Sequence, residues 1–150
     1  MNRRAQQAEA RTRLQAIPAS RIELAQGDFT NLPWDNASFD LVTLHQVLHY
    51  AQAPEMVIAE AARVTSPGGR IAIVDFAPHD HEELRRRHAH ARLGFADEQI
   101  AAMLAEAGFG APNTHSIPGG ELTVCIWIAT RIHEAQVTPL PLTARSGKAN

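Results

Sequence analysis

Residues 39–76 read FDLVTLHQVLHYAQAPEMVIAEAARVTSPGGRIAIVDF, and this stretch decides the fold. Phe39–Leu44 is a compact apolar run suited to a strand buried on both faces. Pro54 suits the first turn of a helix, where its missing N–H is not needed. Met56, Val57, Ala61 and Val64 then recur at helical spacing, predicting a helix over 54–64. Pro67-Gly68-Gly69 makes a sharp turn, and Arg70–Phe76 is a second apolar strand. Strand, helix, strand is the unit of a parallel sheet, so the fold class is α/β.

Working outward, Asn31–Asn36 (NLPWDN) is turn chemistry. Before it, Ile22 and Leu24 alternate with polar neighbours in RIELAQGD, predicting a short strand over 22–26 that ends at Gly27-Asp28. Residues 2–16 are rich in Ala, Arg, Gln and Glu and predict a helix ended by Pro18. With few large apolar residues, that helix is marginal by itself. Downstream, a polar, histidine-rich stretch runs from Pro78 to Arg92, with helical character over 83–92. Ala96–Ala107 reads as an amphipathic helix begun by Asp97 and stopped by Gly108. Pro112–Ile117, the turn Pro118-Gly119-Gly120 and Leu122–Thr130 form a closing antiparallel hairpin. The stretch from His133, with Pro139, Pro141 and Gly147, has the composition of a disordered tail. The division is therefore one domain over 1–132 and a tail over 133–150.

The 150 residues are 45% hydrophobic and 20% charged, with a formal net charge of −2. That composition is globular, and the charge points to neither nucleic acid nor an anionic membrane. No apolar run reaches the ~18 residues needed to span a bilayer. The single Cys125 cannot form an internal disulfide, which fits a cytoplasmic setting. Ligands of open α/β sheets sit outside the carboxyl ends of the strands. Gly27-Asp28-Phe29, Leu44–Tyr50 and Asp75–Pro78 are thereby expected around one site.

The order GDFTNLPWDNASFDLV, LHQVLHY, PEMVIAEAARVTSPGGRIAIVDF resembles the class I S-adenosylmethionine-dependent methyltransferases, of the type 11 kind, over about residues 2–131. DFAPHDHEELRRRHAHARLGF further resembles the methyltransferase half of bacterial proteins that carry an ArsR-type regulator at their amino end. The resemblance implies a Rossmann-like class I methyltransferase sheet that lacks its first two strands and ends in an antiparallel hairpin. It implies S-adenosylmethionine as cofactor and a small-molecule methyl acceptor, with no membrane role. Nucleic acid would be met only through an upstream helix-turn-helix module. Asp28 resembles the acid that meets the adenine amine, with Phe29 beside the base, and its alternative is an Asx turn at the strand end. His45 falls where the family lines the methionine end of the cofactor, and its alternative is a packed histidine. His49 and Tyr50 fall where the acceptor pocket begins, as base or orienting groups, with packing as their alternative.

The family's glycine-rich turn and ribose-binding acid precede the helix that opens this sequence, so Met1 is expected to be an internal methionine of a longer frame. The two strands that go with them occupy central places, leaving the 39–44 strand with an open edge and an expectation of homodimers or aggregation. Two rivals stand beside the enzyme. His79, His81, His88 and His90 with Asp80, Glu82 and Glu83 offer metal-ligand chemistry, against a solvated helix face. The other rival is a non-catalytic interaction domain serving a regulator. Arsenic methylation would need several cysteines, and there is one.

Overall fold

A computed structural model describes residues 3–132; the expected tail from His133 lies outside them. In chain order the elements are α1 (Arg3–Arg13), a 3-10 turn (Ala19–Arg21), β1 (Phe39–His45), a second 3-10 turn (Leu48–Tyr50), α2 (Pro54–Val64), β2 (Thr65–Phe76), α3 (Glu82–Arg87), α4 (Asp97–Glu106), β3 (Asn113–Gly119) and β4 (Leu122–Thr130). The sheet order is β1-β2-β4-β3. β1 and β2 run parallel, and the other two pairings are antiparallel. This is the expected α/β arrangement with its closing hairpin.

The parallel pair is joined through α2, which starts at Pro54 and buries Val57, Ile58, Ala61, Ala62 and Val64. In register, Val42 meets Ile71 and Leu44 meets Ile73. Across the next pair, Ile71 meets Ala129, Ile73 meets Trp127 and Asp75 meets Cys125. These residues share one face, because side chains alternate along a strand. With Ile58, Ile100 and Leu104 from α2 and α4 they make the core. The Trp127 indole N–H is satisfied by Asp97 Oδ1 at 2.8 Å, and Asp97 also places an acid at the positive end of α4. Burying that indole without a partner would forfeit a hydrogen bond.

Three expectations need correction. The β1 run is buried on one face only: Leu41 is 54% exposed, and Thr43 is exposed too. Helices cover just one side of the sheet among the described residues, so alternate residues stay open. Residues 22–26 form no strand, although Ile22 has extended backbone (φ −136°, ψ 130°). An extended segment becomes a strand only with a hydrogen-bonding neighbour, and the outer edge of β1 pairs with no strand among the described residues. The helical stretch over 83–92 is the short α3, which stops at His88. Ala89 then takes a positive φ of 55°, turning the chain inward instead of extending a solvated helix.

The Pro67-Gly68-Gly69 turn lies inside β2, where the register with β1 shifts between Phe39 and Leu41. A Cβ on Gly69 would come within 2.8 Å of the Ser66 carbonyl and 3.1 Å of the Asp40 carbonyl. Only glycine lets the two backbones approach so closely. The 31–36 turn is fastened to α2 through Arg63, whose guanidinium donates to Trp34 O (2.8 Å), Asn36 Oδ1 (2.9 Å) and Leu32 O (3.1 Å). Glu60 holds the same guanidinium (2.7 and 2.9 Å) and accepts the Leu32 N–H at 2.8 Å. Arg63 in turn keeps the Glu60 carboxyl below its ordinary range.

Candidate active site

Because β1 and β2 are parallel, their carboxyl ends lie side by side, and three segments gather there. The chain leaves β1 at His45 and turns through Gln46, whose φ is +52° and whose N–H bonds Val74 O at 2.7 Å. The following 3-10 turn buries Leu48 and His49 but leaves Tyr50 outside. Tyr50 is 47% exposed and Phe29 40%. Both line a cleft of about 460 Å³ together with Gly27, Asp28 and Gln52. The structure thus brings Asp28, Phe29 and Tyr50 together.

Asp28 ends its segment in a tight turn. Its Oδ1 accepts from the Thr30 N–H and the Thr30 hydroxyl, both at 2.8 Å, and its carbonyl accepts from Asn31 N–H at 2.9 Å. That is Asx-turn geometry. His45 sits exposed at the end of β1 and is not part of the cleft wall.

His49 lies behind Tyr50 and is 2% exposed. Its ring Nδ1 is 2.8 Å from Asp75 Oδ1, and its main-chain N–H reaches Asp75 Oδ2 at 3.2 Å. Asp75, fully buried, also accepts the Phe76 N–H at 2.9 Å. The His49 ring is enclosed by Tyr50, Phe76 and His90, with centroids at 4.2, 5.2 and 4.1 Å. His90 is carried inward by the Ala89 turn, and the Ala91 and Arg92 N–H groups both bond the His49 carbonyl, at 2.9 and 3.0 Å. Gly94 closes this strap against the end of β2: its φ is +84°, and a Cβ there would fall 2.1 Å from Ala77 O.

Burial pushes the His90 imidazole below its ordinary pKa, and His49 and His79 nearby push it the same way. Burial likewise lowers His79, with His81 adding to it. His79 Nε2 and His90 Nδ1 are buried without a hydrogen-bond partner. Among the described residues no three His, Cys, Asp or Glu side chains converge as a metal set. His79 and His90 are packed groups, contrary to the solvated-face reading of this stretch.

Sequence reasoning placed Asp75 at the strand ends around the site without giving it a role, and offered His90 only as a metal-ligand candidate. Asp75 left a signal: one carboxylate ends the otherwise apolar run IAIVDF, and a buried carboxylate must be paired. His90 left none, since its burial depends on the backbone turn at Ala89.

The cleft thus offers a carboxylate that accepts from N–H and O–H donors beside an exposed aromatic ring. The described residues contain no glycine-rich turn between a strand and a helix.

Residues 2–73 match a family model described as a methyltransferase domain. A 37.1 kDa protein in a transposon of Streptomyces fradiae is 30% identical over 116 residues, covering 69% of this chain and 33% of that protein. Demethylmenaquinone methyltransferase from Clavibacter sepedonicus is 42% identical over 57 residues, 38% of this chain and 23% of that enzyme. The chain thus spans a third or less of the curated relatives it matches. Among solved structures, a didemethyltoxoflavin N1-methyltransferase from Burkholderia thailandensis, with S-adenosylhomocysteine bound, superposes with a TM-score of 0.63 at 19% identity, over 84% of this chain and 56% of that one. Over residues 2–73 the sequence resembles a methyltransferase domain, and over most of its length the chain has the fold of a solved methyltransferase.

Proposed function

We propose that this chain forms the adenine-binding and acceptor side of a methyltransferase site that transfers a methyl group from S-adenosylmethionine to a small-molecule acceptor. The observation that carries it is the convergence of Asp28, Phe29 and Tyr50 on one cleft at the carboxyl ends of a parallel strand pair. Asp28 would accept from the adenine amine and Phe29 would lie against the base. His45, at the end of β1, would face the methionine end. The bound cofactor supplies an electrophilic methyl group; the chain's own groups bind and orient, which is a large part of such catalysis. Tyr50 and His49 stand on the acceptor side, as hydroxyl and imidazole able to hold or move a proton.

The reading extends to the whole protein. The glycine-rich turn and the ribose acid would come from residues preceding these, in a domain whose share here is 1–132. Its sheet would continue on the open edge of β1. An ArsR-type regulator further upstream, a cytoplasmic setting and a homodimer belong to the same proposal. S-adenosylhomocysteine in the Burkholderia neighbour supports the cofactor. A second reading, a non-catalytic interaction domain, is favoured by the absence of a glycine-rich turn among the described residues.

The test is ligand contact. Saturation-transfer NMR on the 150-residue chain with S-adenosylhomocysteine should show contact to the adenine protons, lost in Asp28→Ala. Affinity should be no better than millimolar, because half a pocket cannot bury the ligand. Absent adenine contact would favour the second reading. Low-micromolar binding would overturn the half-site description.

A further inference from the structure

Asp75 is a fully buried carboxylate in an apolar strand, and methyl transfer as described above does not engage it. A carboxylate in such a place is costly unless N–H donors surround it. Here two of its three donors belong to a single residue, the main-chain N–H and the ring Nδ1 of His49. The third, the Phe76 N–H, is next to Asp75 in the chain. One anion therefore ties down both the backbone and the side chain of the 3-10 turn that presents Tyr50. The two rings lie 4.2 Å apart between centroids, so the place of the His49 ring bears directly on the place of Tyr50.

We propose that Asp75 is a positioning residue for the acceptor side of the site: it holds the His49 ring as its Nδ1–H tautomer and, through His49, sets Tyr50 in the cleft wall. A carboxylate accepts and cannot donate, so the neutral ring facing it must carry its proton on Nδ1 and its lone pair on Nε2. His90 closes over the same ring at 4.1 Å, and the strap from Ala91 to Arg92 holds the His49 carbonyl. With the ring orientation settled from three sides, Tyr50 is the member of the turn left facing outward. In this arrangement His49 acts through Tyr50, which would itself meet the acceptor. The acceptor-side role of Tyr50 rests on the methyltransferase reading; the control of Tyr50 by Asp75 does not.

Tyr50 is the single tyrosine of the chain, so 3-fluorotyrosine labelling gives one 19F signal that reports this residue alone. Nitrogen-15 histidine labelling gives the tautomer, with the His49 signals assigned by their loss in His49→Asn. In the wild-type chain at neutral pH, His49 should carry its proton on Nδ1. Asp75→Asn should abolish that preference, because the amide can donate to Nδ1, and should shift the 19F signal while near-ultraviolet dichroism shows the fold intact. His49→Asn and His49→Leu both lose the ring current of the imidazole 4.2 Å away, but His49→Asn, whose amide can still donate to Asp75, should leave the 19F signal closer to its wild-type place than His49→Leu does. Should Asp75→Asn not fold, the two His49 variants carry the test.

An Nε2–H tautomer in the wild-type chain would overturn the proposal. So would an unmoved 19F signal in folded Asp75→Asn, or the same 19F signal in His49→Asn and His49→Leu, since a merely structural carboxylate would lower the melting temperature without displacing Tyr50. Added S-adenosylhomocysteine separates the two readings. Adenine contact with no tautomer preference and no 19F shift in folded Asp75→Asn would remove this proposal alone. The expected tautomer and 19F shifts without adenine contact would remove the methyltransferase reading and leave Asp75 as the residue that sets Tyr50.

Discussion

The two faces of the four-stranded sheet are built from alternate residues of the same strands and have different fates. On one face Leu44, Ile71, Ile73, Trp127 and Ala129 are packed under α2 and α4, with exposures between 0% and 9%. On the other, Leu41 and Thr43 are exposed, and Ala72, Val74, Ile126 and Ile128 are only half-buried. Composition does not separate the faces, because both are rich in apolar residues. What separates them is whether a helix lies across them. Apolar strand composition reports what a sheet face is suited to meet, whereas its stability depends on what does meet it.

The largest expected effect tests this contrast directly. Trp127→Ala should destabilise the chain by ~3–5 kcal/mol, through a large cavity under α4; it also removes the indole donor to Asp97. Its neighbour Ile126→Ala, on the open face, should cost well under half of that, since partly exposed surface loses less on truncation. Urea denaturation measures both, and equal costs would mean that the second face is covered in solution.

Next in size is the pH response of the strap at the strand ends. Unfolded imidazoles titrate near the ordinary value of 6.5, and burial holds His79 and His90 below it in the fold. Below pH 6.5 the unfolded chain therefore takes up protons that the folded chain refuses. Stability should be complete above 6.5 and should fall as pH drops from there toward the depressed values. Urea midpoints between pH 7.5 and 5 would show the slope, and His90→Phe should flatten it. The Glu60 carboxyl is also lowered, here because Arg63 favours its charged form: that stabilisation is present above the ordinary value of 4.5 and is lost as pH falls through the lowered one.

Asp28 gives a smaller effect on the fold. Asp28→Asn can keep the Asx turn to Thr30 but removes the anion, so chain stability should change by less than ~1 kcal/mol. In a chain extended upstream to include a glycine-rich turn, Asp28→Ala should weaken cofactor binding by ~1–3 kcal/mol. Calorimetry measures it, and unchanged affinity would leave Asp28 as a turn residue alone.

The smallest effect is Leu41→Lys, at an exposed place on the edge strand. Chain stability should stay within ~0.5 kcal/mol, while self-association at high concentration should decline because a lysine on an edge disfavours pairing. Sedimentation of wild type and variant would decide it. A wild-type chain that is monomeric throughout would show that neither the open face nor the β1 edge recruits a second copy.

The α/β class, the helix at 54–64, the parallel pair and the closing hairpin were legible from residue pattern alone. Each follows from local periodicity and turn chemistry: Pro54 at a helix start, apolar runs of strand length, glycines between the hairpin strands. Tyr50 was legible as a candidate because it follows an apolar run at a strand end, where open sheets place their sites; Asp28 and Phe29 were expected there from the resemblance and from a strand over 22–26 that the structure does not form. The absence of a strand at 22–26 was not legible, since Ile22 and Leu24 alternate as a strand should. Alternation says how a segment could pair, while pairing needs a neighbour in space. The burial of one sheet face rather than two was hidden for the same reason. Asp75 and His49 lie 26 residues apart, and their pairing arises because β2 returns alongside β1 and ends beside the turn that follows it. His90 reaches them through a single backbone turn at Ala89, whose positive φ no alanine announces. Short-range preferences are written in the chain, and so they determined the elements; which groups share a buried dielectric and which faces stay open are properties of distance across the fold, and tertiary structure alone decided them.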